Sequence, residues 1–200
     1  MTNTAAPTSR LVLADRLVTK SWATDAGLVL AGVGVTAALA QVQVPMWPVP
    51  ITGQTLAVML VGATLGARRG ALSMISYLVL GVVGLPIFAE FSGGPLSVMK
   101  PSFGFIVGFI PAAFAIGWLS QRNWDKKWLL SLAAFFLASL IPFAFGLPYM
   151  AVVLGQLGVD NSISNVIALG VLPFIVGGIA KWLIAASVLP LTWKLIKRDR

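Results

Sequence analysis

One ionisable side chain stands inside an otherwise apolar run: Lys181, within PFIVGGIAKWLIAA at residues 173–186. Lysine at the centre of a membrane helix costs about 2.5–3.5 kcal/mol on insertion scales, so it is expected to face a cavity or a partner. A long stem can carry the ammonium to the headgroups instead, but Trp193 lies 12 residues further on, or about 18 Å along a helix. Structural pairing with a buried carboxylate is equally poorly served, because no Asp or Glu falls inside any apolar span. An unpaired buried cation therefore points to binding an anionic ligand. Gly177 and Gly178 stand one turn before it, where missing side chains suit either ligand approach or helix packing.

Two polar stretches supply further candidates. IFAEFSGGPLSVMKPSFGF carries Glu90, Lys100, Ser102 and Phe103, and VPMWPVPITGQT carries Trp47, Gln54 and Thr55. The first reads either as a solvated loop or as part of a site. In the second, Trp47 is an interface anchor or part of a lid, and Gln54 opens a span where it can point a hydrogen bond inward. The chain has no His and no Cys, which removes imidazole and thiolate metal sites and the usual hydrolase constellations. No metal or other cofactor is expected. No Gly-x-x-x-x-Gly-Lys-Ser/Thr loop occurs either, so ATP-driven work would have to come from partner subunits.

These residues need a scaffold, and the composition says which kind. Of 200 residues 58% are hydrophobic and 10% charged, against roughly 25% charged in a soluble domain. The chain reads as an all-α integral membrane protein in the cell (plasma) membrane. Six transmembrane helices are expected at about 26–44, 52–67, 70–88, 102–120, 128–147 and 170–192, with 148–169 an outer loop carrying short helices. Residues 1–25 lack a signal-peptide pattern and are expected to form a cytoplasmic tail. Residues 26–193 form the substrate-binding domain, and 194–200 a basic cytoplasmic tail.

With six spans, 12 of the 14 basic residues fall in connections on one side, which marks that side, and both termini, as cytoplasmic. The net charge of +8 is thus spread over the ends of apolar runs, not gathered into a nucleic-acid surface. The first span is richest in small residues: Gly27/Ala31, Gly32/Thr36/Ala40 and Gly34/Ala38 at helical spacing. Such faces let helices approach closely in lipid, either within the bundle or against a partner subunit.

The block VPITGQTLAVMLVGATLGARRGALSMISYLVLGVVGLPIF, followed by SGG, KPSFGFIVGF and LPFIVGGIAKWLIAA, resembles the BioY family, the biotin-binding S components of energy-coupling factor (ECF) transporters. The likeness runs from about residue 45 to 190. It implies six membrane helices with both ends in the cytoplasm, capture of biotin from outside, and assembly with a transmembrane coupling protein and two ATPase subunits. In the family, small residues of the first helix meet the coupling protein. The family's site lysine matches Lys181, whereas its aspartate position holds Gly178. The family's Gly-Pro-Thr-Gly-Gly-aromatic segment appears as Lys100, Pro101, Ser102, Phe103, Gly104 and Phe105. The two N–H donors of a ureido ring need acceptors when buried, and Glu90 is the candidate in place of the aspartate. Lys100 could then meet the valerate carboxylate.

Lipoate, a carboxylated vitamin without a ureido group, is the alternative ligand. An intramembrane enzyme would need Ser/Lys chemistry or paired acids within one span, and neither occurs. A ligand-free scaffold is the remaining alternative.

Overall fold

The computed structural model describes residues 11–19 and 21–198, with side chains described as far as Lys194. The expected tails at 1–25 and 194–200 therefore lie partly outside the described residues. After a single helical turn α1 (Ala14–Leu17), the chain forms α2 (Trp22–Ala40), a two-stranded antiparallel pair β1 (Gln43–Val44) and β2 (Ile51–Thr52), α3 (Gln54–Leu65) and α4 (Ala67–Val83). Then come α5 (Phe103–Ser120), α6 (Trp128–Gln156), α7 (Ile163–Gly170) and α8 (Phe174–Arg198). Among the described residues, four helices are long and apolar enough to cross a membrane: α2, α5, α6 and residues Phe174–Lys194 of α8. α3 is apolar but has only 12 residues.

Local chemistry sets these boundaries. Ser21 caps α2: its hydroxyl accepts from Thr24 N–H at 3.1 Å while Ser21 N–H donates to the Thr24 hydroxyl at 2.9 Å, a reciprocal box that satisfies two orphan donors. A single residue, Gly66 at φ +86°, separates α3 from α4, a left-handed conformation that glycine adopts without a Cβ penalty. The two helices fold back closely enough that a Cβ on Gly70 would stand 2.9 Å from Gly62 Cα.

The helix ends differ from expectation in ways with physical causes. The first helix starts at Trp22 and stops at Ala40, because residues 43–44 leave it to pair with 51–52. The outer loop expected over 148–169 is largely helix: α6 runs unbroken to Gln156 through Pro142 and Pro148. Membrane helices tolerate proline because neighbouring groups re-satisfy the freed carbonyls. The last helix occupies Phe174–Arg198 instead of 170–192.

One cluster buries Val33, Val61, Met74, Tyr77 and Phe109 between α2, α3, α4 and α5. A second buries Met59, Ile116, Phe135, Ala185 and Leu189 between α3, α5, α6 and α8. Several connections meet at one end of the bundle. Val12 and Gln121 surround Gly66, Arg69 pairs with Asp15 at 2.9 Å and Asp25 at 2.7 Å, and Trp193 Nε1 donates to Asp125 Oδ2 at 2.5 Å.

The small-residue face of α2 divides in two. Gly32, Thr36 and Ala40 point into the bundle and are not available to a partner: Thr36 and Ala40 are fully buried, and a Cβ on Gly32 would stand 2.5 Å from Ser73 Oγ. The Ser73 hydroxyl donates to Val29 O at 3.1 Å, tying α4 to α2. Gly27, Ala31, Gly34 and Ala38 are exposed, and added Cβ atoms at Gly27 and Gly34 would meet nothing within 4 Å.

Candidate functional site

At the end opposite Arg69 and Asp125, a cavity of about 640 Å³ opens between the β1–β2 hairpin, the α4–α5 loop and helices α3, α5, α6 and α8. The hairpin contributes Pro45 to Pro50 and Thr52, and the α4–α5 loop contributes Phe88 to Glu90, Ser92, Ser97 and Lys100 to Ser102. Deeper in, the rings of Phe105, Phe143 and Phe174 form a triangle. Phe105 lies parallel to Phe174 at 6.4 Å and meets Phe143 edge-on at 5.7 Å, and Phe143 meets Phe174 edge-on at 6.0 Å. Mostly apolar walls with a few convergent polar groups are the usual composition of a small-molecule site.

Lys181 lines this cavity. Its ammonium donates to Thr52 O at 2.6 Å and to the Thr55 hydroxyl at 2.9 Å, reaching across from α8 to the junction of the hairpin and α3. Two of its three protons are thereby placed, and one donor remains. Among the described residues no carboxylate pairs with it. The neighbouring start of α3, where the Gln54 N–H donates to the Thr52 hydroxyl at 3.3 Å, adds the positive end of a helix to the cationic character. That arrangement leaves one donor of the ammonium for an acceptor in the cavity.

The polar network beside Lys181 is internally closed. The Thr52 hydroxyl donates to Gln54 Oε1 at 2.8 Å, Gln54 Nε2 donates to the Tyr77 hydroxyl at 2.7 Å, and that hydroxyl donates to Ile87 O at 2.9 Å. Tyr77 is fully buried in α4, so this chain fixes the α3 start to the loop that follows α4. Sequence reading missed Tyr77, Thr52 and the aromatic triangle. A tyrosine inside an apolar span was the available signal for the first, since a buried phenol needs a partner.

The α4–α5 loop is held from the other side by Gln41. Its Nε2 donates to Ala37 O and Phe88 O, each at 3.1 Å, and its Oε1 accepts from Phe91 N–H at 3.0 Å. Between these anchors Glu90 (φ 62°) and Phe91 (φ 50°) both adopt left-handed backbone, which costs about 1 kcal/mol or more for each L-residue. Phe88 is tucked beneath them, edge-on to Tyr77 at 5.3 Å.

Of the residues expected in a site, Trp47, Gln54, Glu90, Lys100, Ser102 and Lys181 come together around this cavity. Phe103 and Gly178 do not line it. Phe103 is buried, with its ring turned onto Tyr149 at 6.0 Å, because the start of α5 points it toward α6. Gly178 lies one turn from Trp182, whose ring a Cβ there would approach at 3.6 Å.

Comparison with known proteins agrees with this geometry. The BioY family profile matches residues 8–198. The "Biotin transporter BioY" of Rhizobium etli is 40% identical over 146 residues, covering 70% of this chain and 75% of that protein. The "Biotin transporter BioY" of Thermotoga maritima is 32% identical over 161 residues, covering 80% and 90%. The crystal structure of an S-component for biotin from an ECF-type ABC transporter superposes with a TM-score of 0.71 at 22% identity, covering 88% of this chain and 95% of that one. With a profile match along nearly the whole length and a shared fold, the chain belongs to the BioY family.

Proposed function

We propose that this protein is the substrate-capture component of an ECF-type vitamin transporter, and that its cavity takes biotin from outside the cell. The observation that carries the reading is Lys181: an ammonium in a membrane helix, facing a ligand-sized cavity, with no carboxylate partner among the described residues. The names of the relatives in Rhizobium etli and Thermotoga maritima supply the ligand. In this reading the acid of the ligand lies beside Lys181 or Lys100, the aromatic triangle packs on its apolar part, and Glu90 accepts from ureido N–H groups.

The same reading takes six membrane helices within residues 26–193. α3 and α4 form the second and third, and the hairpin makes up the length that α3 lacks. The gathering of Val12, Gly66, Asp125 and Trp193 at one end supports placing both termini and the tails 1–25 and 194–200 on the cytoplasmic side, as does the distribution of Lys and Arg. A transmembrane coupling protein and two ATPase subunits would drive release inward. The exposed small residues Gly27, Ala31, Gly34 and Ala38 are the proposed docking face.

Labelled biotin should bind the purified protein in detergent and be displaced by excess unlabelled biotin. Absence of binding at micromolar concentration overturns the proposal. One observation favours a second ligand: Gly178 stands at the family's aspartate position, leaving Glu90 as the acid at the cavity wall. Lipoate needs no ureido acceptor, and competition between the two ligands separates the readings.

A further inference from the structure

The α4–α5 loop brings more to the cavity than the charges of Glu90 and Lys100. Residues Pro95–Met99 of that loop form a short 3-10 helix, and it is held from two sides. Gly94 N–H donates to Gly81 O at 2.7 Å, in the last turn of α4, and the Tyr149 hydroxyl of α6 donates to Val98 O. Gly93 is packed so tightly that an added Cβ would stand 2.2 Å from Leu85 O. Whatever this segment offers the cavity is therefore offered from a fixed place.

Ser97 sits in the middle of the segment, is only 4% exposed and lines the cavity. Its N–H donates to Gly94 O at 3.0 Å and its carbonyl accepts from Lys100 N–H at 3.2 Å. Both backbone groups are satisfied, yet the hydroxyl has no hydrogen-bond partner among the described residues. Three other hydroxyls at the cavity differ: Thr52 donates to Gln54, Thr55 accepts from Lys181, and Ser92 donates to Ala89 O at 2.7 Å. A buried hydroxyl left unpaired is costly, and a guest that supplies the partner recovers that cost. The open side of Ser97 is the cavity.

The chemistry of that partner follows from the neighbours. A carboxylate such as Glu90 only accepts, whereas a serine hydroxyl can donate. A cyclic urea presents two N–H donors beside one carbonyl acceptor, the complement of a carboxylate and a hydroxyl carried by one loop. The ammonium groups are then left for the acid.

We propose that Ser97 is a ligand-binding residue whose hydroxyl donates to the carbonyl oxygen of a ureido ring. This rests on the capture of biotin proposed above, and it adds a residue that separates urea-bearing acids from urea-free ones.

The test is equilibrium binding of labelled biotin to the purified full chain in detergent, alongside thermal unfolding of the ligand-free protein. Ser97→Ala should weaken biotin about tenfold, through loss of one buried hydrogen bond. The thermal midpoint should hold or rise, because an unpaired buried hydroxyl is gone. Competition with 2-iminobiotin, in which a guanidinium N–H replaces the urea carbonyl, supplies the second readout. Its affinity should be the same in both proteins, so the preference for biotin falls about tenfold in the variant. Unchanged biotin affinity in Ser97→Ala, or an equal loss for the two ligands, would overturn the assignment while leaving biotin capture in place. Failure of the wild type to bind biotin would overturn both.

Discussion

At the end of the bundle where α3 turns into α4, the less exposed charged groups Arg69, Asp15 and Asp125 each have a partner within the protein. Arg69 joins Asp15 and Asp25, and Asp125 accepts from Trp193. At the cavity end, Lys181, Glu90 and Lys100 line one space with no ion pair among the described residues. The first end spends its polar groups on holding the N-terminal segment, the α5–α6 turn and the last helix together. The second leaves them open and stabilises the surroundings by other means, through the Thr52–Gln54–Tyr77 chain and the Gln41 clasp. A charge satisfied by its own fold is structural, and a charge held in place yet unsatisfied is available to a ligand.

That contrast makes opposite demands on mutants. Arg69→Met should lower stability by about 3 kcal/mol, because it strips Asp15, which is only 9% exposed, of its cation and leaves it only the Val12 N–H. Thermal unfolding in detergent would register the loss, and biotin affinity of the folded fraction should be unchanged. Lys181→Met should do the reverse. Binding weakens by about 2 kcal/mol, roughly 30-fold in Kd, through loss of a charge-assisted contact, while thermal stability holds or rises because a desolvated cation is gone. Unchanged affinity would return Lys181 to a structural role.

Asp125→Ala should cost about 1 kcal/mol by leaving the buried Trp193 N–H without an acceptor, whereas Asp125→Asn keeps one. The smallest effect is a pH dependence. Burial pushes the Asp125 carboxyl above the usual carboxylate range, opposed by the Trp193 hydrogen bond and by Lys126. A group whose pKa is higher folded than unfolded favours folding below its unfolded pKa and loses that contribution as pH rises through the folded one. Wild type should therefore lose stability relative to Asp125→Asn as pH climbs from below the ordinary carboxylate range through the raised value. Parallel pH profiles for the two proteins would refute this.

Much of the candidate site was legible because it breaks a local rule. A lysine in an apolar run and a charged Gly/Pro-rich loop between spans are conspicuous against their surroundings, and Lys181, Glu90, Lys100, Ser102, Trp47 and Gln54 do meet around one cavity. What stayed hidden depends on rotation and long-range partners. Spacing alone marks a small face on α2 but does not say that Gly32, Thr36 and Ala40 turn inward while Gly27 and Gly34 turn out. Phe103 and Phe105 differ by two positions, which on a helix places them on different faces, so one ring meets Tyr149 and the other the cavity. The outer loop expected from residue 148 is instead helix as far as Gln156, because a membrane helix re-satisfies the carbonyls that Pro142 and Pro148 free.

Lys181 has one more property worth drawing out. The carbonyl it holds belongs to Thr52, the residue that ends the hairpin and precedes α3. A guest that attracts this ammonium therefore tugs on the carbonyl that ties α8 to the end of the hairpin. One ammonium thus serves both as a wall of the chamber and as a tether of the hairpin.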